Sequence, residues 1–85
     1  MKPYDVLIKP LVTERAIDQI EKQNKLHFLV KSSATKKDIA AAVESLYKVK
    51  VHSVNVQIKF GIKKAYVRLA PENSAADVAA KLGIV

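Results

Sequence analysis

Apolar positions recur along the chain with two periods, and each change of period marks an element boundary. Tyr4 to Ile8 is a short apolar stretch that predicts an edge strand, ended by Pro10. Thr13 then reads as a helix N-cap, with Glu14 in the first turn and Val12 placed to staple onto Ile17. This helix runs to about Lys22, with Ala16, Ile17 and Ile20 facing inward. Lys25 to Lys31 alternates as a strand does: Leu26, Phe28 and Val30 on one side, His27, Leu29 and Lys31 on the other. Thr35 caps a second helix, whose apolar stripe is Ile39, Ala42, Val43, Leu46 and Tyr47.

Val49 to Lys59 is the longest strand candidate, and its phase slips. Val49 and Val51 share one parity; Val54, Val56 and Ile58 share the other. A bulge near His52-Ser53 reconciles the two. Phe60-Gly61-Ile62 reads as a tight reversal. Lys63 to Ala70 is the return strand, with Ala65, Val67 and Leu69 inward and Lys64, Tyr66 and Arg68 outward. Pro71 stops it. Ser74 opens a last helix with Val78, Ala79 and Leu82 inward, ended by Gly83 with Ile84 folding back. The order β-α-β-α-β-β-α predicts an α+β fold, a four-stranded antiparallel sheet with helices packed on one face. The opposite face is polar, carrying His27, Lys31, Ser53, Asn55, Gln57, Lys59, Lys64, Tyr66 and Arg68. By pattern alone it serves equally as a solvated surface or as a seat for RNA phosphates, with one aromatic for a base or sugar.

Length and charge narrow the choice. Eighty-five residues make a single domain, 1–85. There is no Cys for a disulfide, a thiolate zinc site or a thiol nucleophile. No apolar run is long enough to span a membrane, and the start lacks a signal-peptide stretch, so the chain is expected to be cytoplasmic. Fifteen Lys and Arg against eight acids give a net charge of +7, which suits a polyanionic partner. The charge is uneven. Lys48, Lys50, Lys59, Lys63, Lys64 and Arg68 occur in a stretch without an acid, whereas Glu14, Asp18 and Glu21 line the outer face of the first helix.

Lys36 and Lys37 oppose the dipole of the second helix, a placement that favours binding over stability. Catalysis has no foothold. His27 and His52 have no acidic neighbour in sequence, the two glycines form no phosphate loop, and the acids of the first helix have no shielding to separate their pKa values. No metal, cofactor or small-molecule substrate is expected.

Three segments resemble the ribosomal protein L23 family of the large subunit. Lys9-Pro10-Leu11-Val12-Thr13-Glu14-Arg15-Ala16 is similar to the family's opening K-P-x-V-T-E-K-A. The second segment is Ala34-Thr35-Lys36-Lys37-Asp38-Ile39 through Ala42-Val43-Glu44-Ser45-Leu46-Tyr47-Lys48-Val49-Lys50-Val51 and Val54-Asn55; the third is Lys63-Lys64-Ala65-Tyr66-Val67-Arg68-Leu69. The resemblance implies a ribosome-bound structural protein that binds large-subunit rRNA at the polypeptide exit, beside neighbouring large-subunit proteins. It also implies a docking point for signal recognition particle and the translocon, on a surface that here holds Glu14; helical spacing extends it to Asp18 and Glu21. Bacterial members carry a long basic loop between the last two strands. Only Phe60-Gly61-Ile62 stands there, as in the short archaeal-type form.

On this reading rRNA phosphates are neutralised from the sheet and the loop ends. The candidate residues are Lys9, Thr13, Arg15, Lys36, Lys37, Asn55, Lys59, Lys63, Lys64, Tyr66 and Arg68. Two alternatives stay open: a free-standing RNA-recognition-motif-like domain, which would want more aromatics on the open face, and a small protein-interaction domain.

Overall fold

The computed structural model describes residues 3–83. The chain forms α1 (Pro3–Val6), β1 (Leu7–Pro10), α2 (Glu14–Gln23), β2 (Lys25–Val30), α3 (Lys36–Tyr47), β3 (Val51–Lys59), β4 (Ile62–Leu69) and α4 (Ala75–Leu82). Four antiparallel strands build one sheet in the order β1-β2-β4-β3.

The start of the chain differs from the expected Tyr4–Ile8 strand. A helical turn comes first, and the strand begins only at Leu7. Val6 explains this: it is fully buried in the core, where α1 packs against α3, and its carbonyl accepts from the Lys31 N–H. Pro10 closes β1 from within instead of lying beyond it. It is tolerated there because β1 is an edge strand, which leaves one side of its backbone without ladder partners. Val12 remains 56% exposed, so the expected staple onto Ile17 does not bury it. Ile84, expected to fold back, lies outside the described residues.

The helix caps follow the sequence. Thr13, Thr35 and Ser74 accept N–H bonds from Ala16, Asp38 and Asp77. At α3 the arrangement is reciprocal: Asp38 Oδ2 accepts from the Thr35 N–H at 3.0 Å, a full capping box. Those bonds hold the Asp38 carboxyl below its ordinary pKa. Asn24 ends α2 in the left-handed conformation, φ 55°, and acts as a joint. Its amide donates to the carbonyls of Leu69, Ala70 and Asn73, and its Oδ1 accepts from the Ala75 N–H at 2.7 Å. One side chain thereby fixes the end of α2, the end of β4 and the start of α4.

The phase slip in β3 is a bulge. Val51 pairs with Leu69 and Ser53 with Arg68, so His52 is the extra residue. The β3–β4 hairpin closes through two residues, Phe60 and Gly61, both at positive φ (53° and 75°), while Lys59 pairs with Ile62. This is the turn whose twist matches that of the strands. Ile62 therefore opens β4 instead of belonging to the reversal.

The core lies between one sheet face and the helices. Leu26, Phe28, Val30, Ala65, Val67 and Leu69 meet Ile39, Ala42 and Val43 of α3 and Val78 and Ala79 of α4. Phe28 stacks on Tyr47 with ring centroids 6.1 Å apart, and burial pushes the Tyr47 hydroxyl pKa up. Helix α2 packs against β2 and α4, adding Ile20 to the core.

Candidate nucleic-acid interface

The face of the sheet away from α3 is organised by strand register. Residues directly opposite in antiparallel strands point to the same side. One row is Lys25, Arg68 and Ser53; the next is His27, Tyr66 and Asn55; the third is Lys9, Leu29, Lys64 and Gln57. Lys59 and Ile62 close the pattern at the hairpin end. No strand contains an acid, so every charge on this face is positive. Arg15 joins from α2, lining with Gln19, Lys25, Asn55, Gln57 and Tyr66 a shallow polar depression of about 200 Å³.

His27 departs from expectation. Instead of facing solvent it is buried, at 7% exposure. Gln19 reaches across from α2, and the imidazole Nε2–H donates to its Oε1 at 2.6 Å. Tyr66 covers the ring edge-on, with centroids 4.5 Å apart and planes at 81°. Burial, followed by the nearby Arg15, Lys25 and Lys64 charges, depresses the His27 pKa and keeps the ring neutral at pH 7. Three cations acting on one imidazole also register how closely positive charge gathers here. Tyr66 is in turn pinned by donation of its hydroxyl to Gln57 Oε1 at 2.7 Å. The aromatic at the centre of the face is therefore preorganised.

The expected contact residues divide by location. Lys9, Arg15, Asn55, Lys59, Lys64, Tyr66 and Arg68 gather on the open face or its rim. Lys63 does not. It pairs with Val30 and Ile58 on the helix-covered side, and its ammonium donates to the carbonyls of Ala34 and Ser32. Its neighbour Lys64 points the other way by strand alternation. Thr13 is exposed, but its hydroxyl oxygen is engaged as the α2 cap. Lys36 and Lys37 lie outside the open face, lining with Val51, His52, Ser53 and Val54 a groove along the free edge of β3. Ser53 belongs to both surfaces, so the basic region continues around that edge.

Two contributors escaped the sequence reading. Lys25 looked like a strand boundary, but register sets it beside Arg68. Gln19 carries no signal of its own in the sequence, yet it orients His27.

On α2, Glu14, Asp18 and Glu21 are all exposed. Their strip is not uniformly negative, because Lys22 pairs with Asp18 at 3.2 Å. Among the described residues no cluster of His, Asp and Glu could hold a metal ion, and no helix is long and apolar enough to cross a membrane.

Comparison with known proteins finds matches over most of the chain. A family model described as ribosomal protein L23 matches residues 5–61. Large ribosomal subunit protein uL23 of Methanothermobacter thermautotrophicus is 48% identical over 85 residues, covering 99% of this chain and 99% of that protein.

Proposed function

The chain belongs to the ribosomal protein L23 family, in its archaeal-type form, and we propose that it binds large-subunit rRNA through the open face of its sheet. It is a structural constituent of the large ribosomal subunit and not an enzyme. The observation that carries the rRNA reading is the register that brings Lys9, Lys25, Lys64 and Arg68 to one acid-free sheet face around Tyr66. Each cation that meets a phosphate releases condensed counterions, so affinity falls steeply with salt. Arg68 and Arg15 can hold phosphate oxygens bidentately, whereas the lysines act as point charges. Asn55 and Gln57 add uncharged hydrogen-bonding groups, and Tyr66 offers a fixed ring edge for a sugar or base. Lys36 and Lys37 extend the contact around the β3 edge to a second RNA segment. Recognition is of folded RNA shape, since few side chains here can read base edges.

Family membership supports a position at the polypeptide exit, beside other large-subunit proteins and within the cytoplasm. The exposed acids of α2 suit a different partner from the sheet. Glu14 and Glu21 are free of ion pairs among the described residues, and with Asp18 they offer a docking strip for exit-site factors such as signal recognition particle and the translocon. An acidic strip on one helix and a cationic sheet face let both partners bind at once.

The double variant Lys64→Glu/Arg68→Glu tests the rRNA reading. It changes two side chains outside the core, so the far-ultraviolet circular dichroism and the melting temperature stay near those of the parent. Binding to protein-free large-subunit rRNA at moderate salt is expected to be lost. Tight binding by the folded double variant refutes the reading.

A further inference from the structure

We infer that Phe60, at the tip of the β3–β4 hairpin, is a stacking residue that holds one unpaired base of the bound RNA. This rests on the rRNA-binding reading above and adds a contact at the end of the sheet, beyond the open face.

Phe60 is 91% exposed, more than any other large apolar residue of the described chain. It also sits at φ 53°, in the first central position of the two-residue turn. A bulky side chain adopts left-handed backbone at a cost; Asn, Asp or Gly fill this position readily. Phe60 is therefore unfavourable twice, for backbone conformation and for exposed apolar area, and at 91% exposure little packing within the chain offsets either. A residue so placed is explained by what it meets outside the chain.

Charge favours RNA as that partner. Lys59 Nζ lies 5.7 Å from the centroid of the Phe60 ring. No acid occurs between Glu44 and Glu72, the stretch that contains the whole hairpin. An aromatic ring next to an ammonium is the pairing that binds a nucleotide, with the ring on the base and the ammonium on its phosphate. Ile62, 48% exposed, pairs with Lys59 on the open-face side of the tip and widens the apolar surface next to which a splayed base can pack.

The test uses the full chain, protein-free large-subunit rRNA as probe, and three substitutions. Phe60→Asn suits the turn better, so its melting temperature is expected at or above that of the parent while rRNA affinity drops about tenfold or more. Phe60→Leu keeps apolar area but lacks the π-face and is expected to bind as weakly. Phe60→Trp is expected to bind as the parent does; since the chain has no other Trp, its emission reports the tip alone and is quenched on rRNA binding. Parent-like affinity of Phe60→Asn or Phe60→Leu, or Trp emission unchanged at saturation, overturns the inference. If those substitutions spare rRNA binding and instead impair incorporation into large subunits, the tip meets a protein and base stacking is refuted. The Lys64→Glu/Arg68→Glu variant separates the two claims. Should it lose binding while Phe60→Asn does not, the sheet interface stands and the stacking residue falls; should the parent itself fail to bind, both fall.

Discussion

His27 and Tyr66 are cross-strand partners packed edge to face, with ring centroids 4.5 Å apart, and the buried imidazole sets the position of the half-buried phenol. Gln19 fixes the imidazole from one side and Gln57 fixes the phenol from the other. Four side chains from α2, β2, β4 and β3 thus form one relay across the sheet. It links the fold of α2 to the centre of the proposed RNA surface.

The relay makes stability sensitive to pH. The His27 pKa is lowered in the folded chain, first by burial and then by Arg15, Lys25 and Lys64. The unfolded chain therefore binds more protons than the folded one once pH falls below about 6.5, and stability declines from there until the folded-state pKa has been passed. Melting temperatures measured from pH 7.5 to 5 are expected to fall in this window. In His27→Gln the decline over the same range is expected to be smaller, and an identical slope would contradict the role given to His27.

Asn24 is expected to be the costliest polar residue to lose. Asn24→Ala removes partners from the Leu69, Ala70 and Asn73 carbonyls and the Ala75 N–H, and it places a Cβ-bearing residue without a compensating side chain at positive φ. A loss of about 2–3 kcal/mol follows, measured by urea denaturation. Asn24→Gly relieves the backbone and is expected to recover only part of it. Full recovery would show that the hydrogen bonds contribute little.

Lys63 and Lys64 are adjacent in sequence and opposite in role. Lys63→Ala is expected to cost about 1–2 kcal/mol of stability, through the carbonyls of Ala34 and Ser32, and to leave the salt dependence of rRNA binding unchanged. Lys64→Ala is expected to spare stability and to lower the slope of log affinity against log salt by about one. Reversed results for the two would place RNA on the helix-covered face.

Much of this arrangement was legible in the sequence because it is local. The three helix caps, a reversal beginning at Phe60-Gly61 and the slip at His52 each follow from neighbouring residues, although the reversal read from the sequence ran one residue too far, through Ile62. The parity of Lys63 was legible too. It matches Ala65 and Val67, which already pointed inward, but its charge suggested a surface role. What could not be read is non-local. Burial of His27 depends on where α2 crosses, and the pairing of Lys25 with Arg68 depends on register between strands about forty residues apart. The helical turn at Pro3–Val6 forms where Val6 is buried and α1 meets α3, a tertiary effect that overrides a strand-like apolar run.

The central claim is that rRNA covers the open sheet face, and lysine reactivity tests it most directly. Acylation of the free and rRNA-bound protein, read by mass spectrometry, gives a protection value for each lysine. Protection is expected at Lys9, Lys25, Lys59 and Lys64, with Lys22 and Lys81 on the outer helices equally reactive in both states. Protection of Lys22 and Lys81 with Lys25 and Lys64 left open would contradict the account.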